Sequence, residues 1–238
     1  MMGDLAGQRV LVVGGSSGLG LATAQAAADL GAAVTVASRS QEKIDAAVAA
    51  IGAGAEGRAL DITSDAAVEA FFADGTVYDH VVVTAAQTKV AAVRELPLAD
   101  AFASMNSKFW GAYRIARAAP IRDGGSLTLV TGVLAIRPRK GAAIQGAINA
   151  GMEALAQGLA LELAPVRVNT VSPGLVVTPL YDRMAAEARQ AMYDRAAAAL
   201  PAGLVGQPEH VAIQILAFIT NPYATGSTAY IHGGSALL

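Results

Sequence analysis

The chain of 238 residues contains no cysteine, so disulfides, thiolate zinc sites, iron–sulfur clusters and cysteine nucleophiles are excluded. Charged residues are scarce at 15%, and the net charge of −2 offers no excess of basic residues for binding nucleic acid. The three histidines, His80, His210 and His232, lie far apart without metal-ligand spacing. We therefore expect no metal and no nucleic-acid partner.

Long apolar runs are also missing. No uninterrupted run approaches the roughly 18 residues of a membrane span, so no membrane association is expected. The stretch from Met1 to Gln8 carries Asp4 before any Lys or Arg and has no long apolar region, which predicts no signal peptide and a cytoplasmic location. Apolar residues nevertheless make up 54% of the chain, which excludes disorder and predicts a large buried core.

Short apolar runs alternate with segments of helical length. The predicted strands are Arg9–Val13, Val34–Ala37, Gly57–Leu60, His80–Val83, Ser126–Val130, Val166–Val171 and Thr228–Ile231. The predicted helices are Leu19–Leu30, Gln41–Ile51, Asp65–Phe72, Leu98–Ala119, Ala142–Ala164 and Pro208–Ile219, with a more polar helical segment at about 178–200. Continuous apolar strands between helices predict a parallel sheet covered on both faces. We predict one α/β domain over residues 1–238, with a Rossmann-type, doubly wound, seven-stranded parallel sheet.

The first predicted strand runs into a glycine-rich turn, Val13-Gly14-Gly15-Ser16-Ser17-Gly18-Leu19-Gly20. Glycine after a strand lets the backbone approach a pyrophosphate, and the N-terminus of the following helix attracts the anion. A ligand-free tight turn is the alternative. Because the motif lies between a strand and a helix, it favours a dinucleotide site.

The end of the second predicted strand indicates which dinucleotide. An NAD site usually has an acidic residue there for the ribose 2′-hydroxyl, whereas an arginine suits the 2′-phosphate of NADP. The segment Val36-Ala37-Ser38-Arg39-Ser40 contains no acid. Ser38 and Arg39 therefore predict NADP(H) over NAD(H), and a solvated surface arginine is the alternative.

Taken together, these residues resemble the short-chain dehydrogenase/reductase family over almost the whole chain. Gly14 to Gly20 looks like the family's cofactor motif, Asn106 like the helix Asn of its catalytic tetrad, and the segment from Val168 to Gly174 like its Pro-Gly segment. The resemblance implies a cofactor site of Gly14, Ser16, Ser17, Gly18, Leu19, Gly20, Ser38, Arg39, Asp61, Ile62, Thr84, Ala85, Ala86, Asn149, Pro173, Gly174, Val176 and Thr178. It also implies a homo-oligomer, tetramer or dimer, formed through the two long helices, and a helical substrate lid at about 178–200.

The family's reactive residues are missing, however. Its chemistry uses a Ser together with a Tyr and a Lys spaced Tyr-x-x-x-Lys on one helix, where residues four apart share a face. Here Gln145 stands at the Tyr position, Asn149 at the Lys position and Gly132 at the Ser position, with Thr131 beside it. No tyrosine of the chain has a lysine four residues on. Neither amide is a useful proton donor near neutral pH, and losing a general acid typically costs about 10²–10⁴-fold in rate.

The resemblance therefore implies an NADP(H)-dependent oxidoreductase with a non-standard active site, which reduces a small C=O, C=N or C=C substrate. Tyr181 in the predicted lid and Lys140 in the loop before the second long helix are candidate proton donors; a lid aromatic and a solvated loop are the simpler interpretations. A non-redox cyclase or isomerase and a catalytically silent cofactor-binding subunit or sensor stay open. We expect His80 and His210 to be surface residues.

Overall fold

The computed structural model of the protein describes residues 3–238. Its seven strands form one parallel sheet in the order β3-β2-β1-β4-β5-β6-β7, which confirms the predicted fold class. The strands are β1 (Arg9–Val13), β2 (Ala33–Ser38), β3 (Ala55–Ala59), β4 (Tyr78–Val83), β5 (Ile121–Val130), β6 (Arg167–Pro173) and β7 (Thr228–Ile231). The core strands are apolar on both faces because helices cover both sides of the sheet.

Eight α-helices are found among residues 3–238. They are α1 (Gly18–Asp29), α2 (Gln41–Ile51), α3 (Asp65–Phe72), α4 (Leu98–Met105), α5 (Gly111–Ala118), α6 (Ala143–Glu162), α7 (Ala186–Ala199) and α8 (Pro208–Thr220). On one face of the sheet, Phe71, Ile115 and Ile148 anchor α3, α5 and α6. On the other face, Ala24 and Ile215 anchor α1 and α8.

The first long helix differs from its prediction as one regular helix over Leu98–Ala119. It consists of α4 and α5 joined by a π-helical turn at Asn106–Trp110. A π turn holds one more residue than an α turn, so it changes the face that each following side chain occupies. Lys108 lies inside this turn.

The sheet changes winding direction between β1 and β4, which are adjacent in space but separated by β2 and β3 in sequence. In an open parallel sheet the crevice at such a point, beyond the carboxyl ends of the strands, is the usual ligand site. Gly14 follows β1 and Thr84 follows β4, and the backbone N–H of Thr84 donates to the Val13 carbonyl at 2.8 Å. The fold therefore places the glycine-rich turn at this crevice.

After β6 the chain leaves the sheet and returns before α8. We call residues 177–205 the excursion; it contains a 3₁₀ turn at Pro179–Tyr181 and helix α7, in the region predicted to be helical. An isolated parallel bridge joins Val176 to Gly206 at its base. Backbone hydrogen bonds at that bridge run from Val177 to Gly206 at 2.9 Å and from Gly206 to Leu175 at 3.1 Å.

The expectation that His80 and His210 lie at the surface is half right. His210 is exposed in the first turn of α8. His80 was wrongly placed: it is 5% exposed because its strand β4 lies between β1 and β5, where it pairs with Val10 and Ser126. No helix in residues 3–238 combines the length and the apolar character needed to cross a membrane.

Candidate active site

The glycine-rich turn is packed so closely that it has no room for side chains at two positions. A Cβ on Gly14 would lie 2.5 Å from the backbone N of Ala85, and Gly14 has a φ of +90°. A Cβ on Gly20 would collide with the Gly14 carbonyl oxygen. The backbone of the turn thus packs against the end of β4 without side chains at these two positions, as the approach of a pyrophosphate requires.

The first turn of α1 is left open for an anion. Its N-cap residue Ser17 makes no side-chain hydrogen bond to the helix, and the first turn contains no acidic residue. The free N–H groups and the positive end of the helix dipole therefore face the crevice uncompensated. Thr178 packs over the same place, since a Cβ on Gly18 would lie 3.6 Å from the Thr178 Cβ.

The opposite end of the crevice holds the residues predicted to select the cofactor. The Ser38 hydroxyl is buried and has no hydrogen-bond partner among the described residues. The exposed Arg39 donates through Nη1 to Oε1 of Gln87 at 2.9 Å. Hydrogen bonds from the backbone N–H and the hydroxyl of Thr63 lower the pKa of Asp61, and the Arg39 charge lowers it further. A hydroxyl and a guanidinium without an acid at the strand end suit a phosphate.

The remaining predicted cofactor residues lie at the carboxyl ends of the strands or in the segments that follow them. Ile62 is buried against Gly111, and Val176 is buried at the bridge. At the end of β6 the Gly174 N–H donates to the Ile231 carbonyl at 2.9 Å. Ser16 lies in the turn after β1, Leu19 in the first turn of α1, Ala86 in the segment after β4 and Pro173 at the end of β6.

The substituted catalytic positions form a hydrogen-bonded cluster. Asn149 on α6 is 3% exposed and donates through Nδ2 to the Gly132 carbonyl at 3.1 Å. A Cβ on Gly132 would lie 2.8 Å from that Nδ2, so the asparagine occupies the space that a serine side chain needs. One helical turn earlier, Gln145 donates through Nε2 to the hydroxyl of Thr88 at 2.6 Å.

Lys108 is the residue that the sequence interpretation missed. Its Nζ donates to Oδ1 of Asn149 and to the Thr131 carbonyl oxygen, both at 2.7 Å. Burial lowers the pKa of Lys108 to about 8, while the negative charge of Glu153 opposes that shift. The available signal was a lone lysine in an apolar stretch, beside the aromatic pair Phe109-Trp110.

A second group continues the cluster along α6. Glu153, one turn beyond Asn149, accepts a hydrogen bond from the Thr131 hydroxyl at 3.1 Å through Oε1. It also accepts from the Tyr230 hydroxyl at 2.8 Å through Oε2, and both burial and this contact raise the pKa of Tyr230. The negative charge of Glu153 also raises the pKa of Lys108.

Three candidate residues lie outside this cluster. The Asn106 side-chain amide points toward the Thr63 carbonyl, 3.5 Å away. Tyr181 stacks edge-on against Tyr193 in the excursion, and burial raises its pKa, which makes it a weaker acid than a solvated tyrosine. Lys140 is exposed in the loop before α6. Within the described residues, neither Tyr181 nor Lys140 makes a hydrogen bond to Gln145 or Asn149.

Comparison with known proteins gives consistent matches over the whole fold. The family model described as enoyl-(acyl carrier protein) reductase matches residues 13–236. The short-chain dehydrogenase/reductase ucsE of Acremonium sp is 32% identical over 250 residues, which cover 96% of this chain and 95% of that protein.

Two solved structures are similar over almost their full length. One is an NADPH-bound short chain oxidoreductase from Pseudomonas aeruginosa PAO1 that contains an atypical catalytic center (TM-score 0.88, 28% identity, 98% of each chain covered). The other is the MalC reductase/Diels-Alderase from Malbranchea aurantiaca (TM-score 0.91, 25% identity, 98% of each chain covered).

Proposed function

The chain belongs to the short-chain dehydrogenase/reductase family and is an oxidoreductase of that type, and we propose that it uses NADP(H) in a non-standard active site. In this proposal Gln145 and Asn149 position the substrate and the cofactor instead of transferring protons. The substrate is a small molecule with a C=O, C=N or C=C bond. The observation that carries the proposal is an intact cofactor cradle beside a cluster without the Tyr, Lys and Ser of the family.

The cofactor assignment depends on the two ends of the crevice. The bare turn at Gly14 and the open first turn of α1 would hold the pyrophosphate. Ser38, with its unpartnered hydroxyl, and Arg39 would hold the 2′-phosphate. Bound NADP(H) would supply hydride chemistry. The NADPH complex of the P. aeruginosa relative supports this assignment.

Direct binding measurements test the cofactor preference. We expect NADPH to bind more tightly than NADH. The change Arg39→Ala should weaken NADPH by roughly 10- to 100-fold, since a hydrogen bond to a charged group is worth about 1.5–3 kcal/mol, and should leave NADH almost unaffected. Arg122→Ala is the matched control, because Arg122 lies at the amino end of the sheet and pairs with Asp79. Equal affinities of the parent protein for the two cofactors would contradict the assignment.

The substrate class follows from the missing acid. Gln145 and Asn149 can orient a substrate by hydrogen bonds but have no proton of suitable acidity to give. A substrate that is already cationic, such as an iminium, needs no strong acid for reduction. We therefore expect iminium and activated C=C compounds to be reduced faster than simple ketones in an NADPH-oxidation panel. Equal rates for simple ketones and iminium compounds, unchanged by Gln145→Ala, would contradict this placement of the chemistry.

A non-redox reaction is the second candidate. The similar MalC protein is described as both a reductase and a Diels-Alderase, so a related fold combines a reduction with a cyclisation. A pocket that positions a substrate without transferring protons suits such a cyclase as well. Product formation without NADPH oxidation would favour this function, and NADPH oxidation coupled to product formation would favour the first.

We propose that the protein is a homo-oligomer. Its cytoplasmic location stays a prediction. Large apolar side chains are exposed along the helices predicted to pair: Leu98 (74%), Phe102 (71%), Trp110 (47%) and Leu161 (83%). Exposed apolar groups concentrated in this way mark interaction surfaces. We propose that α4, α5 and α6 pair with their symmetry mates to form a dimer or tetramer.

A further inference from the structure

The position of Lys108 in the cluster has no explanation in the family pattern given above. Its Nζ lies 2.7 Å from the Asn149 side-chain oxygen and 2.7 Å from the carbonyl of Thr131, the residue before Gly132. It therefore sits between the two positions where the family has its Lys and its Ser. Asparagine is shorter than lysine, and the ammonium group occupies the space beyond it.

The helix geometry accounts for this reach. Lys108 lies in the π-helical turn between α4 and α5, and α6 packs against that turn. The side chain crosses from one helix to the other, where Asn149 and Gly132 are already joined by a hydrogen bond. Two of the three ammonium N–H groups donate to protein oxygens, and no acceptor for the third is found within residues 3–238.

We propose that Lys108 provides the positive charge and the exchangeable proton of this active site, delivered from the neighbouring helix and held in place by Asn149. This inference depends on the proposed NADP(H) function. It gives the chain a replacement for both the missing lysine charge and the missing acid, and it assigns Asn149 the role of a positioning residue.

The electrostatic surroundings suit this role. Burial favours the neutral amine and brings the pKa of Lys108 down to about 8, whereas Glu153 on α6 favours the ammonium form. The hydroxyl of Tyr230 on β7 donates a hydrogen bond to the Glu153 carboxylate. Of the charged groups on α4 and α5, Asp100 pairs with Lys89, Arg114 pairs with Asp65 and Arg117 is exposed. Lys108 can therefore give up a proton near neutral pH, which a solvated lysine does poorly.

For a carbonyl substrate, bound NADP(H) would supply a hydride to the carbonyl carbon, and the carbonyl oxygen would take a proton from Nζ of Lys108. One cofactor C–H bond and the N–H bond of Lys108 would break, and a C–H and an O–H bond of the substrate would replace the C=O π bond. The products would be an alcohol, the oxidised cofactor and a neutral amine. The amine then takes a proton back from water.

Two measurements that do not depend on turnover test the proposal. The chain has four lysines, Lys43, Lys89, Lys108 and Lys140, so a protein labelled with ¹³C at lysine Cε gives few signals, and Lys108→Arg identifies the relevant one. We expect that signal to titrate near pH 8 and to move upward when NADPH binds. NADPH affinity, measured by fluorescence between about pH 7 and pH 9.5, should fall roughly tenfold as the ammonium group loses its proton.

The variants separate charge from packing. Lys108→Met should bind NADPH roughly tenfold more weakly at pH 7, with no pH dependence, whereas Lys108→Arg should bind well at every pH because arginine stays charged. The double change Lys108→Met with Asn149→Lys puts the charge back on α6 and should restore affinity. Lys89→Met, at an exposed ion pair, is the control and should keep the pH profile of the parent.

The possible failures are distinguishable. If the parent binds no NADPH, the proposed function fails and this inference fails with it. If NADPH binds but the Lys108 signal titrates with those of the exposed lysines, or the parent and Lys108→Met share one pH profile, only the role of Lys108 is refuted. The NADPH affinity of the parent between about pH 7 and pH 9.5 needs no substitution, and an affinity that stays constant over that range refutes the role of Lys108 even if no variant folds.

Discussion

Acid should destabilise this protein well above the pH at which carboxylates take up protons, and His80 is the cause. His80 is 5% exposed in the middle of the sheet. One ring nitrogen is 2.8 Å from the Ser126 hydroxyl and the other is 2.7 Å from Oε1 of Gln8. The neutral ring is satisfied when Nε2–H donates to Gln8 and Nδ1 accepts from Ser126. Protonation of His80 would therefore add a buried positive charge to a network whose hydrogen bonds are already complete.

The magnitude follows from the pKa. Burial, helped by the nearby Arg167 charge, lowers the pKa of His80 from 6.5 to about 4, although Asp79 opposes the shift. The unfolded chain then binds this proton near pH 6.5 and the folded protein only near pH 4. Each pKa unit is worth about 1.4 kcal/mol, so the free energy of unfolding should fall by about 3 kcal/mol between pH 7 and pH 4.

Denaturant unfolding at constant protein concentration, from pH 7.5 down to about pH 4.2, measures this loss. His80→Gln should be less stable than the parent at pH 7.5 and should lose little further stability down to about pH 4.5. His210→Gln is the matched control, since His210 is exposed at the start of α8, and it should retain the full acid sensitivity. Parallel stability curves for the parent and His80→Gln would refute the reasoning.

Three further outcomes are expected. Gly14→Ala and Gly54→Ala both strain a backbone near φ +90°, at a cost of about 1 kcal/mol each. Only Gly14 has a backbone atom within 2.5 Å of the new Cβ. NADPH binding, measured by fluorescence, should therefore be lost in Gly14→Ala and kept in Gly54→Ala. Gln145→Tyr with Asn149→Lys and Gly132→Ser should raise ketone reduction over the parent in an NADPH-oxidation assay. Gly132→Ser alone should not, because its Cβ would meet Asn149. Light scattering should give two or four times 24.0 kDa, and a monomer mass at micromolar concentration would exclude the proposed pairing.

The sheet was predictable because its strands, apart from β3, contain β-branched residues and are bounded by glycine, proline and helix caps. Each predicted strand is present; β1 and β7 have the predicted bounds, and the other strands have ends shifted by a few residues. The strand Gly57–Leu60, for example, begins earlier at Ala55 because it pairs with β2 from Val34 onward. Pairing between strands sets such ends, and sequence periodicity does not contain that information.

His80 shows a different limit. A histidine at the start of a predicted strand looks like a surface residue when only its own segment is considered. It is buried because β4 lies between β1 and β5, and its hydrogen-bond partners Gln8 and Ser126 are 72 and 46 residues away in sequence. Only the strand order brings these partners together.

The candidate site was predictable where it depends on backbone and less so where it depends on side chains. The glycine-rich turn lies at the predicted place because Gly14 and Gly20 have no room for a Cβ. Lys108 was missed because the search for a lysine followed Tyr-x-x-x-Lys spacing on one helix. A contact between two helices, made from inside a π turn, leaves no such periodic signal.

The bridge between Val176 and Gly206 joins the two ends of the excursion, so the segment between them could be replaced as a unit. Its two ends are fixed side by side by backbone hydrogen bonds, whatever residues lie between them. Doubling the length of a closed loop costs only about 0.6 kcal/mol, so a longer or shorter insert changes stability little once the ends are held. A segment from another protein, grafted between residues 176 and 206, would therefore present a new wall to the crevice without shifting β6, β7 or α8. Variation in this one segment would let a constant nucleotide cradle serve unrelated substrates.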